Sequence, residues 1–385
     1  MPNLFEPLQI REVGFRNRIA VSSMCQYSSV DGFANDWHLV HLGSRAVGGA
    51  SLVMTEACAV LPEGRISPED LGIYKDEHIP ALAHIAEFIR AQGAVPGIQL
   101  AHAGRKASLP PPWEPQNALT DDAGGWTPVA PSPVSFSETY RVPEELSLDG
   151  IRAVIEGFAA AAGRALAAGF QVIEMHAAHG YLIHQFLSPL SNWRKDAYGG
   201  EFENRTRFVV EVAKAVRRVW PASLPLFTRI SATDWVDGGW DIDQSSQLAG
   251  QLKNVGVDLV DCSSGGLVPY AKIEPRPGYQ VDFARRIREE TGILTGAVGL
   301  ISERTQADEV ISLGKADMIF MAREFLRHPY WPLAAARDFG FSVDWPIQYL
   351  RAAPAGSIAR KPKYPDISKA VPNRSTALGV KSGRK

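Results

Sequence analysis

"GFQVIEMHAAHGYLIHQFLSP", residues 169–189, opens as a strand and ends in polar chemistry. FQVIEMH (170–176) is short, apolar and β-rich, and the segments 147–168 before it and 202–219 after it carry helical periodicity. A strand between two helices is one step of a right-handed βαβ series. The same alternation continues in both directions. Strand-like runs are IAVSSM (19–24), SLVMTEA (51–57), AVPGIQLAH (94–102), LPLFTRIS (224–231), DLVDCSS (258–264), ILTGAV (293–298) and DMIFMAR (317–323). Helical patterns fall at 38–48, 78–92, 243–255, 282–291, 303–313 and 331–339. Eight strand–helix pairs in a chain of this length count out an α/β fold, the (β/α)8 TIM barrel. A doubly wound sheet is the competing architecture, and it ordinarily opens on a glycine-rich dinucleotide turn. Here the first strand runs into MCQYSSVDGF, which contains no G-x-G-x-x-G.

Composition narrows the function classes. The 385 residues are 45% hydrophobic and 21% charged, an ordinary globular balance. A net charge of −2 gives no sign of a nucleic-acid partner. No apolar run approaches the roughly 20 residues that span a bilayer. The start, MPNLFEPLQIREV, has no basic segment followed by an apolar one, so no signal peptide is read. Cys25, Cys58 and Cys262 are scattered and odd in number, which fits a reducing cytoplasm and excludes a four-cysteine iron–sulfur cluster within the chain. Two segments break the repeat. Residues 107–146, rich in Pro, Trp, Ser and Asp, form a long loop after strand three, on the face where barrels keep their active sites. Residues 352–385 carry eight Lys/Arg against one Asp and read as a basic, disordered tail behind a barrel domain of residues 1–351.

In a barrel, polar residues at the carboxyl ends of strands face the reaction site. Those ends hold Ser22, Ser23 and Cys25; Glu56 and Ala57; Gln99 and His102; His176, His179 and Tyr181; Arg229; Ser263 and Ser264; Gly296 and Gly299; and Arg323. The set is rich in amide, hydroxyl and guanidinium donors and poor in carboxylates, which disfavours a carboxylate-pair hydrolase. On a continued strand, His176 and His179 would point to opposite faces. They converge only if the chain turns near Ala177, and Gly180 suits such a turn. A zinc site, with His102 and His184 as further ligands, lacks the H-E-x-x-H spacing, and no metal is expected. Structural histidines are the plain alternative. Two neutral imidazole donors beside a phenol instead suit hydride addition to a polarised C=C followed by protonation. Hydride transfer requires a cofactor. Backbone N–H groups around Ser263–Gly266, Gly299 and Ala322, with Arg323, would cradle a phosphate, and Gln99 and Arg229 lie where a flavin edge needs donors. Cys25 reads either as a core thiol or as a group beside the redox ring.

Beyond these residues, the chain resembles the Old Yellow Enzyme family of flavin-dependent ene-reductases, in the thermophilic-like or xenobiotic-reductase-like branch. The resemblance is carried by SSMCQYSS (22–29), PEGRISPEDLGIYKDEH (62–78), IQLAHAGRKA (98–107), the block 169–200, ENRTRF (203–208), DLVDCSSGGLV (258–268), TGAVGLI (295–301) and QYLRA (348–352). It implies non-covalent FMN at the carboxyl face, NADPH as reductant and α,β-unsaturated carbonyl or nitro compounds as substrates. It places Ser22, Ser23, Met24, Cys25, Ala57, Gln99, Arg229, Gly299, Ala322 and Arg323 against FMN. Tyr27, Lys106, His176 and His179 would bind substrate, and Tyr181 would donate the proton. Arg351 would enter the partner subunit's pocket in a homodimer or homotetramer. Two departures stand out: Ser23 replaces a usual proline, and Ala322 a frequent glycine. The rival readings are a dienoyl-CoA-reductase-like flavoprotein and a non-catalytic flavin sensor.

Overall fold

The computed structural model describes residues 3–364. Eight parallel strands close in sequential order: β1 (Ile19–Val21), β2 (Leu52–Ala59), β3 (Val95–Ala101), β4 (Val172–Ala177), β5 (Leu226–Ser231), β6 (Leu259–Ser263), β7 (Leu294–Ala297) and β8 (Met318–Met321). The helices between and after them are α1 (Asp36–Val47), α2 (Ile79–Ala91), α3 (Leu148–Ala167), α4 (Phe202–Val219), α5 (Ile242–Asn254), α6 (Val281–Thr291), α7 (Arg304–Ser312) and α8 (Trp331–Asp338). This is the expected (β/α)8 TIM barrel. Side-chain caps start three of the helices: Asn35 for α1, Ser147 for α3 and Asp241 for α5 accept backbone N–H groups.

Strand alternation sorts the two sides of the barrel wall. Ile173, Met175 and Ala177 of β4 join the apolar layer under the helices, as do Leu226 and Ile230 of β5 and Val260 and Cys262 of β6. The intervening residues turn inward. At the amino ends of the strands these are Leu52, Val95, Val172, Phe227 and Leu259, a dry plug. Further along they become Gln99, Glu174, His176, Arg229, Asp261 and Ser263, all buried. The interior therefore passes from apolar to polar along the barrel axis, and the polar end carries the site.

A hairpin that the sequence reading did not anticipate covers the apolar end. Leu8–Ile10 pairs antiparallel with Val13–Phe15, with Ile10, Val13 and Phe15 packed into the plug. Its strands are only three residues long, too short for periodicity to register.

The excursion at 107–146 folds back over the barrel mouth. Val129–Ala130 pairs with Glu144–Glu145, and Trp126 Nε1 donates to Glu63 O at 2.9 Å. Trp126 and Tyr140 pack on the same small cluster as Cys25, Tyr27 and Tyr181, so the excursion forms a cap. Of the tail expected from Ala352, residues to Tyr364 are described and are not a free chain. Ile358–Arg360 pairs with Asp344–Pro346, and Arg360 donates to Val47 O at 2.9 Å. Residues 365–385 lie outside the described residues. The three cysteines are free thiols. No helix among the described residues is long and apolar enough to cross a membrane.

Phe15 is fully buried, and its ring stacks on Phe227 at 6.4 Å. Phe15→Ala is expected to cost about 3–5 kcal/mol. A lowered urea midpoint is the expected outcome, and an unchanged midpoint would show that the hairpin does not seal the plug.

Candidate active site

The turn after β4 brings the predicted set together. The strand stops at Ala177, His179 takes φ 57° and Gly180 φ 73°. Glycine is required at 180: a Cβ there would lie 2.2 Å from Gly266 O. A Cβ on Gly266 would lie 2.8 Å from His179 Cα, so the two backbones are locked together. The left-handed turn swings His179 back beside His176, with ring centroids 5.1 Å apart, and Tyr181 stands edge-on to His176 at 5.0 Å.

A backbone hydrogen bond assigns the His176 proton. His176 Nδ1 accepts from Ala178 N–H at 3.2 Å, so Nε2 carries the proton. That Nε2 lies 3.4 Å from His179 Nδ1, and His179 Nε2 lies 2.7 Å from Ser263 Oγ. Burial, and then the Arg229 cation, hold both imidazoles well below their ordinary range. They are neutral donors. Burial, followed by neighbours including Cys25 and Tyr27, raises the Tyr181 phenol, which keeps its proton.

Lys106 reaches this turn from the cap side. Its Nζ donates to His179 O at 2.9 Å and Gly266 O at 3.1 Å, tying the two locked loops. It also lies 5.1 Å from the Tyr181 ring centroid and 4.6 Å from that of Phe136. Burial, then Arg105, brings it down to about 8. Tyr27 adopts φ 48° and meets the edge of Trp113 from the cap at 5.7 Å. Cys25 is half-buried, and burial, then Asp70 and Glu56, raises its thiol. The backbone between Cys25 and Tyr27 is pinned by Glu56, which accepts from Gln26 N–H at 2.9 Å and meets His38 Nε2 at 3.0 Å. Met24 is partly buried against the core and Ala57 stands beside Gln99 in the β2–β3 register.

A polar row crosses the interior next to the histidines. Ser23 Oγ donates to Gln99 Oε1 at 2.9 Å, and Gln99 Nε2 donates to Glu174 Oε1 at 2.7 Å. Arg229 donates to Ser22 Oγ at 2.8 Å, and its Nε lies 3.1 Å from Asp261 Oδ2. That last contact is ionic without a hydrogen-bond angle, since both atoms stay without hydrogen-bond partners. Burial, then Asp261, lifts Glu174 to about 8 against the pull of Arg229, and burial lifts Asp261 to about 6. The sequence reading missed Glu174 and Asp261. Alternation would have found them, because Glu174 sits two residues before His176 and so on the same face.

At the ends of β6–β8 lies a cavity of ≈ 260 Å³ lined by Ser263, Gln280, Gly299, Ala322 and Arg323, among others. Gly299 has φ 123°, and a Cβ there would meet Gln280 Nε2 at 2.9 Å. Arg323 makes no ion pair or side-chain hydrogen bond among the described residues, and its guanidinium is available to an anion. A larger cavity of ≈ 730 Å³ shares Ser302, Glu324 and Arg327 with it. There Arg304 is paired with Asp338 and Arg327 with Glu324, and none of the candidate site residues lines it. An unpaired guanidinium at one end and an amide–guanidinium edge at the other fit the phosphate and the polar ring edge of FMN. The remaining candidates, His102 and His184, turn to backbone: their Nδ1 atoms accept from Gly104 and Gly180 N–H. Arg351 is exposed on the turn Ile347–Ala352, where Tyr349 packs against Tyr330 at 6.0 Å.

The profile of the NADH:flavin oxidoreductase / NADH oxidase family matches residues 3–339. The chain belongs to that family and, as the resemblance implied, to the Old Yellow Enzymes; it is an FMN-dependent oxidoreductase. It is 48% identical to the NADPH dehydrogenase of Geobacillus sp. (strain WCH70) over 350 residues, covering 90% of this chain and 98% of that one. Identity to the NADPH dehydrogenase of Bacillus subtilis (strain 168) is 47% over the same coverage. Among solved structures, morphinone reductase superposes with a TM-score of 0.73 at 26% identity, covering 94% of this chain and 96% of that one. A 2-naphthoyl-CoA reductase superposes with a TM-score of 0.80 at 25% identity, covering 88% of this chain and 52% of that one.

If Arg323 takes the phosphate, Arg323→Ala removes a charge-assisted contact worth about 1.5–3 kcal/mol. The dissociation constant for FMN, read by flavin fluorescence on the apoprotein, should rise on the order of 10- to 100-fold. An unchanged constant would take Arg323 out of the cofactor site.

Proposed function

We propose that this chain is an NADPH:alkene oxidoreductase that reduces the C=C bond of α,β-unsaturated carbonyl or nitro compounds. The observation that carries the reading is the convergence of His176, His179 and Tyr181 on one spot beside the Gln99–Arg229 row. Ser22, Ser23, Met24, Cys25, Ala57, Gln99 and Arg229 would hold the ring of FMN, and Gly299, Ala322 and Arg323 its phosphate. Once bound, FMN supplies hydride chemistry, accepting from NADPH and giving to the alkene's β-carbon.

The protein supplies the rest. His176 and His179 each offer one N–H to the substrate's carbonyl or nitro oxygen. Being neutral, they stabilise the charge that develops there without carrying a positive charge into a buried site. Each such donor is worth about 2.7–4 kcal/mol at the transition state. Tyr181 delivers its phenolic proton to the α-carbon, and Tyr27 and Lys106 line the substrate side. The cap would lie over this pocket and limit the access of water. The enzyme is read as cytoplasmic, a homodimer or homotetramer. Arg351, exposed in its own chain, would complete the neighbouring subunit's pocket, and the apolar Ile347, Tyr349 and Leu350 around it would be covered by that contact.

Stopped-flow reduction by NADPH followed by reoxidation with 2-cyclohexenone tests the reading. Reduction without alkene-dependent reoxidation would point to a sensor instead. Tyr181→Phe should slow the alkene step by about 100-fold or more while leaving NADPH oxidation unchanged; equal slowing of both steps would make the phenol structural. Sharing across subunits is tested by exchanging subunits between inactive Arg351→Ala and Tyr181→Phe proteins. Mixed dimers then contain one site with both residues intact, and recovered activity is expected. Demonstrated exchange with no recovery would confine Arg351 to its own chain.

A further inference from the structure

The turn that carries His179 and Tyr181 is held from beneath by two fully buried side chains of the helix Leu182–Leu187. Gly180 N–H, in the peptide that links it to His179, donates to His184 Nδ1 at 2.9 Å. Gly180 C=O, in the peptide that links it to Tyr181, accepts from Gln185 Nε2 at 2.7 Å. Gln185 is itself fixed, donating to Ala103 O at 3.1 Å and accepting from Arg105 N–H at 3.2 Å. His184 Nε2 lies 2.9 Å from Asp234 Oδ1, with both side chains at 0% exposure; the contact lacks a hydrogen-bond angle, and neither atom has any other hydrogen-bond partner, so each faces only the other. The other oxygen, Oδ2, accepts from Ser188 Oγ at 2.6 Å and Trp240 N–H at 2.8 Å.

From this geometry we infer that Asp234 and His184 are positioning residues for the His179–Tyr181 turn, acting through the tautomer of His184. Resting on the roles proposed above for His179 and Tyr181, this adds residues that touch neither substrate nor flavin. The argument is one of proton placement. Gly180 N–H requires an unprotonated Nδ1. The single proton of a neutral imidazole must then sit on Nε2, facing a group that only accepts. A carboxylate meets that demand on both its oxygens. An asparagine does not. If its oxygen stays with Ser188 and Trp240, its NH2 faces Nε2, the imidazole proton moves to Nδ1, and two N–H groups oppose each other at Gly180. If the amide is reversed, its NH2 opposes Trp240 N–H instead. Gly180 packs closely on the Gly266 backbone and its C=O is held by Gln185, so the turn is restrained against relaxing.

The test uses the FMN-loaded enzyme and a phenol as the probe of the His176–His179 oxygen site. Asp234→Asn should move the His184 proton from Nε2 to Nδ1, read by 15N chemical shifts of the labelled imidazole. It should weaken phenol binding by about 10-fold, the scale of one lost hydrogen bond, and speed hydrogen exchange at the Gly180 amide. His184→Asn places an amide oxygen where Nδ1 stood and should keep phenol affinity near that of the parent. His184→Phe fills the space without an acceptor and should lose affinity as Asp234→Asn does. An unchanged tautomer in Asp234→Asn, or equal phenol affinities in His184→Asn and His184→Phe, would overturn the inference. If Asp234→Asn fails to fold, the His184 pair decides alone. Tautomer and amide exchange are read without any alkene. An enzyme that shows both expected changes yet never reduces alkenes would therefore refute the proposed function and leave the positioning role standing.

Discussion

Arg229 is a guanidinium buried inside a closed barrel, and its presence there constrains much of what surrounds it. A buried charge left unpaired costs several kcal/mol. The chain meets that cost with the Asp261 carboxylate on the neighbouring strand and the Ser22 hydroxyl beyond the end of β1. Two carboxylates, Asp261 and Glu174, share this interior with a single cation, so burial lifts both above their ordinary range. The same cation discourages protonation of His176 and His179. One residue thus anchors the first-strand loop, organises the carboxylates and adds to the burial that keeps both imidazoles neutral.

Backbone contact does what charge cannot. The Gly180–Gly266 approach leaves no room for a side chain at either position, because each loop occupies the space where the other's Cβ would stand. Lys106 adds a bond to each loop from above, and His184 and Gln185 hold Gly180 from below. A donor aimed at a developing charge is effective to the extent that it is fixed beforehand. The left-handed conformation of His179 is retained because these contacts over-determine it.

The cap and the plug divide the labour of closing the barrel. The Leu8–Phe15 hairpin seals the apolar end with side chains that need no partners. The 107–146 excursion covers the polar end with aromatics that can also face a ligand, Trp113 against Tyr27 and Phe136 against Lys106. Apolar burial stabilises the first, whereas the second is built where polar groups converge and a pocket must remain.

Local pattern was enough to read the barrel. All eight strands and the helices that alternate with them announce themselves by apolar runs and helical periodicity, since each element must turn one face to the core. Residues at strand ends were legible for the same reason, because a parallel barrel puts every carboxyl end on one face. His176, Gln99, Arg229 and Arg323 could be named from position alone. Tertiary structure decided everything that depends on separation in space. Alternation puts Glu174 and Asp261 on the inward face, but their ionisation was decided only when the barrel closed around Arg229 and removed water from them. Asp234 lies 50 residues from His184 in sequence, and no spacing rule connects them. The convergence of His179 with His176 hinged on a left-handed turn packed against the Gly266 backbone, 86 residues beyond Gly180.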